Sequence, residues 1–553
     1  MREIYLLFLF SVVSQFSNAQ QTVGLFEYDS LTYEGYTLFA PKNGTVTYLI
    51  DNCGKVVNTW LGDGTPPAES VYLLENGKLL KTGEVDGSFN AGGVGGSISL
   101  FDWNGGYHWT YEYFGEDYHQ HHDIESLPNG NILLIAWERK NIDEILVEGR
   151  NPSLSSGEVW SEKIVELKPL GSNEVEIVWE WHFWDHLVQN FDSAKNNFGV
   201  VANHPELLNI NFGAEEKDWI HFNGIDYNED LDQILLTSRN MSEIYIIDHS
   251  TSTAEAASHS GGNSGKGGDI LYRWGNPQVY NRGTDMDKKL FGPHNATWIP
   301  EGSPDENKIM IFNNGYKQPG IDYSSVDVII PPLETDNTYS IFASESFKPL
   351  DLFWTYEADP VESLASPTRS GAQRLPNGNT LIADSKGGNI YEVTYDGDLA
   401  WHYRIPVGAF GVVNQGDALI KPDLFRATRY GLDYPAFVGK DLTTGDPIEL
   451  NPYASDCNIF GMPVGTKQLR TLEDVEIFEF SNRGYIVIKN KTKKEIEVEV
   501  FDLMGRNVGE TIFSSQGEFE LSASDWKNGF YFVRVHVVGE NEFFVKKIVK
   551  SGN

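Results

Sequence analysis

Cysteine is almost absent from this 553-residue sequence, which carries only Cys53 and Cys457. Two thiols cannot build a disulfide framework or a cysteine-rich zinc site, and they allow one bridge at most. Basic residues are scarce too. With 42 Lys and Arg against 79 Asp and Glu, the formal charge is −37, which excludes nucleic acid or an anionic membrane surface as the main partner. Any anionic substrate must therefore meet a local positive site. Long apolar runs are missing except at the N-terminus, where Arg2, the segment YLLFLFSVV and then Ser17-Asn18-Ala19 have the form of a secretory signal peptide over residues 1–19. That run is shorter than the roughly 20 residues of a membrane-spanning helix. The expected product is exported, free of any membrane span after cleavage, and able to keep a single disulfide.

Glycine and tryptophan are abundant, at 54 and 14 residues, and with many alternating segments they predict an all-β fold of short strands. One repeated module is a hairpin: HDIESLPNGNILLI from His122, SGAQRLPNGNTLIA from Ser370 and the weaker ESVYLLENGKLLKT from Glu69 place Asn-Gly between alternating apolar runs. The segments HFNGIDYNEDLDQILLTS from His221 and HNATWIPEGSPDENKIMIF from His294 fit the same template with looser turns. A second module is a strand pair ending in tryptophan, at Trp60, Trp109, Trp179, Trp274, Trp354 and Trp401. One hairpin and one Trp-ending pair make a four-stranded sheet, and the succession predicts a six-bladed β-propeller over residues 20–460. The module ending at Trp60 precedes any hairpin, so its inner strands are expected from the end of the ring, at LFRATRYGLDYPAF, residues 424–437. Pairing that stretch with the Tyr48–Trp60 segment would close the ring. Cys53 and Cys457 lie near the two segments, and both a disulfide pinning the closure and a pair of free buried thiols are open.

From residue 468 the pattern changes to the short alternating strands of a small β-sandwich over 468–553. Its VFDLMGR, NGFYFVRV and terminal basic KKIVK closely resemble the C-terminal sorting domain of type IX secretion in Bacteroidetes. The resemblance implies recognition by the type IX secretion machinery, delivery to the cell surface or medium, and removal of the tail on the way.

In a propeller the first strand of each blade lines the central channel, so the residue that opens each hairpin sits at one mouth. His122, His221 and His294 open three consecutive blades, and Ser370 opens the next. Arg239 closes the hairpin begun by His221, and Asn223 shares a face with that histidine. One such histidine is ordinarily a packing residue; three at equivalent positions make a candidate site. Three imidazoles are the ligand set of some catalytic zinc sites. Against that, no HExxH motif is present, and an arginine in the cluster repels a dication. The other reading is chemistry on an anion, with one neutral imidazole as nucleophile, a second as acid and base, and an arginine fork holding a tetrahedral oxyanion.

The segments DWIHFNGIDY, ILLTSRN, GPHNATWIP and HHDIESLPNGN, with YTLFAPKNGTVTYLIDNCGKVVNTW and FRATRYGLDYPAF, resemble the aryl-sulfate sulfotransferases over most of residues 30–455. The resemblance implies an exported six-bladed enzyme that takes a sulfuryl group from a phenolic sulfate through a covalent sulfohistidine and passes it to an acceptor phenol, with no metal, cofactor or nucleotide sulfate donor. It implies His294 as the sulfated histidine, His221 as general acid and base, and Arg239 and Asn223 as holders of the sulfuryl oxygens. His122 is implied as a further channel donor, with His121 as its rival, and Thr368 or Ser370 would complete the oxyanion site. Net hydrolysis, or binding without turnover, are the alternatives. Two segments are expected to be bland: residues 250–269, whose Gly265-Lys266 lacks the spacing of a phosphate-binding loop, as a flexible surface insertion, and EEKD at 215–218 as a solvated turn.

Overall fold

The computed structural model describes residues 21–453 except 63, 214, 321, 322 and 343, then Cys457, and residues 475–550 except 481–484, 492–493, 503–507, 509–510, 524–525, 527–528 and 539–542. The expected signal peptide at 1–19 and the boundary at 460–468 lie outside the described residues. The chain divides into two compact units, Met1–Cys457 and Asn458–Asn553. Both are built almost wholly of antiparallel strands. Among the described residues no helix is long and apolar enough to cross a membrane.

The first unit contains six antiparallel sheets of four or five strands, and in the second to the fifth the strands are laid down in chain order. The second sheet is Pro67–Leu73, Leu79–Glu84, Gly96–Phe101 and Tyr107–Glu112. The third is Tyr118–Ser126, Ile132–Asn141, Glu158–Leu170 and Glu174–His182, and the fourth is Phe222–Asn228, Gln233–Ser238, Glu243–Asp248 and Tyr272–Trp274. The fifth is His294–Trp298, Ile309–Asn313, Ser325–Ile329 and Trp354–Tyr356. The sixth is Gly371–Arg374, Thr380–Asp384, Asn389–Val393 and Leu399–Arg404, with Gly24–Tyr28 added at its edge. All five predicted hairpins are thus present. In three of them the Asn-Gly signal acts as expected: Gly77, Gly130 and Gly378 take φ of 80°, 86° and 93°, left-handed values open to glycine because it has no Cβ.

The first sheet runs Leu424–Gly431, Gly35–Pro41, Thr47–Ile50 and Val56–Trp60. This corrects the expected closure. The late stretch supplies one strand rather than two, and it pairs with Gly35–Pro41, not with the Tyr48–Trp60 segment. The two cysteines are joined in a Cys53–Cys457 disulfide with Cα atoms 5.7 Å apart.

Two sets of side-chain hydrogen bonds run from sheet to sheet in one cyclic order. On the fourth strands, each of the six tryptophans donates its indole N–H to the connection between strands three and four of the following sheet. Trp60 reaches Asp102 O, Trp109 Glu174 O, Trp179 Thr251 Oγ1, Trp274 Pro349 O, Trp354 Tyr395 O and Trp401 Asn52 O, at 2.7 to 3.2 Å. The last returns to the first sheet. On the inner strands, Ser70 Oγ donates to His122 O, Ile225 N to Asp123, Trp298 N to Asp226, Ala372 N to Asn295, Arg429 N to Gln373 and Leu73 N to Tyr430 Oη. A buried indole needs a partner for its one donor, and here that need places each sheet against the next.

The second unit has two antiparallel sheets, one of Val475–Phe480, Tyr485–Asn490 and Glu518–Ser522, the other of Ile512–Ser514, Ile496–Asp502, Gly529–Val537 and Phe543–Lys550. Ile486, Ile488 and Leu521 from one share a core with Ile496, Val498, Val500, Val533 and Val535 from the other.

Residues 250–269 are more ordered than their composition suggests. Ser252 caps the short helix Thr253–Ala256 in a capping box, and Asp269 is buried against His186. Substituting Trp401 by Phe removes the donor to Asn52 O at the return to the first sheet, where the indole is fully buried. We expect a loss of about 1–3 kcal/mol in denaturant unfolding, and a smaller loss for Trp354→Phe, whose indole bond is exposed.

Candidate active site

At three of the inner strands one residue takes a left-handed backbone: His122 (φ 50°) within Tyr118–Ser126 of the third sheet, His221 (φ 55°) just before Phe222–Asn228 of the fourth, and Ser370 (φ 75°) just before Gly371–Arg374 of the sixth. In the fifth sheet the left-handed residue is Asn295 (φ 50°), one after His294. The three histidines are therefore not backbone equivalents, as the repeat alignment had implied. Left-handed conformations at non-glycine residues cost on the order of 1–3 kcal/mol each and gather at functional sites. The His122 and His221 rings meet edge to face, with centroids 4.7 Å apart. A Cβ on Gly93 (φ 84°) would overlap the His122 ring, so glycine is required beneath it.

His294 is 2% exposed and has a defined tautomer. Asn314 donates its amide N–H groups to Ser366 O and Arg369 O, at 2.7 and 2.9 Å. Its Oδ1 must therefore be the atom that faces His294 Nδ1, at 2.7 Å, and with Gly292 O at 3.2 Å it makes Nδ1 the protonated nitrogen. Nε2 carries the lone pair and accepts from the Arg369 backbone N–H at 3.1 Å. Burial holds the ring well below the usual histidine range; the Asn314 bond opposes this, while His221, Arg239 and Arg426 reinforce it. His122 is held low in the same way, first by burial and then by His221, His121, His294 and Arg369. Both rings are neutral at pH 7.

His221 Nδ1 donates to Asp218 Oδ2 at 2.5 Å. The Asp218 carboxylate also accepts from Trp137 Nε1 at 3.0 Å. EEKD is thus no mere solvated turn, because its last residue fixes which nitrogen of His221 is free. Arg239 follows the strand paired with that of His221, and its N–H bonds His221 O at 3.1 Å. Its guanidinium lies 4.2 Å over the Tyr316 ring and donates to Asn240 Oδ1. Among the described residues it has no carboxylate partner. Asn223 is fully buried and donates to Pro293 O at 2.9 Å, which ties its strand to the residue before His294.

Two further arginines reach the cluster. Arg369 pairs with Glu69 at 3.0 Å, and Arg426 pairs with Asp123 at 2.6 Å while donating to Asn223 O at 3.0 Å. The local positive site demanded by a chain of −37 is therefore present. Thr368 is exposed beside Arg369. The Ser370 hydroxyl is spent on Ser366 Oγ at 2.9 Å and Ser385 N at 3.0 Å, which corrects its expected place in an oxyanion site. His121 lies behind His122 rather than in its place, stacked on Trp137 at 4.0 Å and 0% exposed. Asn314, Asp218, Arg369 and Arg426 had no local motif to mark them, although the repeat alignment placed Arg369 directly before Ser370.

The profile of the arylsulfotransferase (ASST) family matches residues 14–386, about two thirds of the chain, and that of a secretion system C-terminal sorting domain matches residues 482–551. No curated protein matches the chain. Among solved structures, a protein of unknown function from Bacteroides caccae is 11% identical, with TM-score 0.40, over 72% of this chain and 99% of its own. The Myceliophteria thermophila Cps50 (Swd1) beta-propeller domain is 10% identical, with TM-score 0.33, over 75% and 98%. Virginiamycin B lyase from Staphylococcus aureus is 10% identical, with TM-score 0.30, over 70% and 90%.

Asn314→Leu leaves the Arg369 carbonyl without its donor and the Ser366 carbonyl with only the longer bond from Ser324 Oγ. We expect about 1–3 kcal/mol of lost stability by chemical denaturation, together with loss of the single His294 tautomer in histidine nitrogen spectra.

Proposed function

The chain belongs to the arylsulfotransferase family, and from that premise we propose that it moves a sulfuryl group from a phenolic sulfate ester to an acceptor phenol through a covalent sulfohistidine at His294. The observation that carries the reading is the His294 tautomer: Nδ1–H is held by Asn314 and a lone pair stands on Nε2. In the first half-reaction the Arg369 backbone N–H releases Nε2, Nε2 attacks sulfur, the N–S bond forms, and the S–O bond to the aryl group breaks. His221 gives its Nε2 proton to the leaving phenolate. In the second, His221 takes the proton of the acceptor phenol, the phenol oxygen attacks sulfur, and the N–S bond breaks to restore the lone pair. Asp218 keeps His221 Nε2 turned to this work. Asn314 Oδ1 accepts from the ring while it carries the sulfuryl group and is cationic.

Arg239, its charge unmatched by any carboxylate among the described residues, holds the sulfuryl oxygens with Asn223 and His122, and Thr368 stands at the edge of the site. Arg369 and Arg426 add positive potential but are already paired, so Arg239 carries the larger share of anion binding. The cyclic hydrogen-bond order of the six sheets supports reading residues 20–460 as a six-bladed propeller, with these residues at one mouth of its channel. The shared core of the second unit supports reading 468–553 as a β-sandwich. A sorting tail implies export to the surface or medium, with type IX machinery as the partner and residues 1–19 as the signal peptide.

With a chromogenic phenyl sulfate and a second phenol, the protein should release the donor phenol only when the acceptor is present and should place sulfate on the acceptor. His294→Ala should lower this transfer by about 10³-fold or more with an unchanged unfolding transition. A mass increase of one SO₃ on the peptide carrying His294 should appear when the acceptor is withheld. Full activity in His294→Ala would remove the sulfohistidine from the mechanism.

A further inference from the structure

Behind the candidate site lies a chain of buried groups that the proposed reaction does not use. Glu162, on the third strand of the third sheet, is fully buried. Its Oε1 accepts from the backbone N–H of Phe222 at 2.8 Å, and its Oε2 lies 2.8 Å from His121 Nε2. The other nitrogen of His121, Nδ1, lies 2.8 Å from His122 Nδ1. Beyond it, His122 Nε2 has no partner among the described residues. No lysine or arginine pairs with Glu162 among those residues.

Each link in this chain needs one proton, and that requirement couples the ends. If Glu162 is a carboxylic acid, it donates to His121 Nε2, His121 donates from Nδ1 to His122 Nδ1, and His122 must carry its own proton on Nε2. If Glu162 is a carboxylate, His121 must donate to it from Nε2, so His121 Nδ1 becomes an acceptor. His122 then puts its proton on Nδ1 and shows a bare lone pair at Nε2. The difference between the two arrangements is one proton, lost from His122 Nε2 and made good by the proton of Glu162.

We propose that Glu162 and His121 are positioning residues that set the tautomer of His122, so that His122 offers an N–H to the transferred sulfuryl group only while Glu162 is protonated. The inference rests on the sulfuryl-transfer reading, which is what gives that donor a task. The surroundings favour the protonated acid. Burial pushes the Glu162 carboxyl well above its usual range, Asp218 adds to the rise, and only the backbone N–H groups of Phe222 and His221 oppose it. His121, which faces His119 and His221, is held well below the histidine range by burial, and His122 faces His221, His294 and Arg369. A negative oxygen of a sulfate ester meeting a lone pair on His122 would be repelled, so the tautomer decides whether this residue helps or hinders.

The test uses the signal-free protein with nitrogen-labelled histidine. Long-range proton–nitrogen spectra at neutral pH should show His122 protonated at Nε2 and should show a change to Nδ1 on raising the pH. Glu162→Gln can still donate to His121 and accept from Phe222, but it cannot ionise, so its His122 should stay protonated at Nε2 across the range. Normalised to its own maximum, aryl sulfate transfer by the wild type should fall on the alkaline side as Glu162 loses its proton. In Glu162→Gln that limb should move up by about one unit or more, to where deprotonation of the general acid His221 sets it. His121→Phe keeps the stack on Trp137, cuts the chain, and should give mixed His122 tautomers. Nδ1 protonation of His122 in the wild type at neutral pH, or an alkaline limb unmoved in Glu162→Gln, would overturn the proposal. If no aryl sulfate is turned over, the sulfuryl-transfer reading fails, whereas the spectra still decide the tautomer control.

Discussion

Everything at the candidate site depends on sheets that are held to one another by directional hydrogen bonds, six of them from tryptophan indoles. A sheet of four short strands has two faces to cover and no lateral partner of its own. The indole N–H of the last strand reaching the next sheet supplies a directional contact where hydrophobic packing alone is indifferent to register. Six such contacts, together with the inner-strand bonds through Ser70, Asp123, Asp226, Asn295, Gln373 and Tyr430, leave each inner strand with little freedom to slide. The histidines stand on those strands or just before them, His122 within Tyr118–Ser126, His294 at the head of its strand and His221 one residue before Phe222. Their mutual distances are therefore properties of the hydrogen-bonded sheets rather than of any one loop.

The electrostatics follow from the same construction. A protein of net charge −37 brings three arginines to one place by drawing them from three elements distant in sequence, and it pairs two of them with carboxylates. Paired arginines cost less to bury than bare ones. The unpaired guanidinium of Arg239 instead rests on an aromatic ring that leaves its charge available. The neutral state of His294 and His122 is the counterpart of this arrangement, because burial among cations penalises an added proton and keeps imidazole lone pairs free for chemistry.

Much of this was legible in the sequence. Hairpins and Trp-ending pairs are written in local alternation, in Asn-Gly turns and in repetition, so the strands and the main histidines could be read directly. The closing strand was found, but its partner was misjudged, since Gly35–Pro41 carries no hairpin signal of its own. What could not be read is the support behind the histidines. Asp218 reads as part of a solvated charge run, and neither Glu162 nor Asn314 stands in any motif. Each matters only through a partner 3, 41 or 20 residues away on another element, and no local pattern records such a meeting. Residues 250–269 show a related gap: glycine and serine content does not announce the capping box or the burial of Asp269, which depend on what lies against them.

The disulfide has a consequence beyond stability. It joins a turn of the first sheet to Cys457 at the end of the first unit, 404 residues later. A protease that cuts once anywhere between these two residues, in the exposed segment around Ser260 for example, produces two pieces that are still one covalent molecule. Each piece also keeps its indole and inner-strand contacts to the other. A single nick is then an event the fold can survive, and two cuts are needed before any fragment from between the two cysteines can leave.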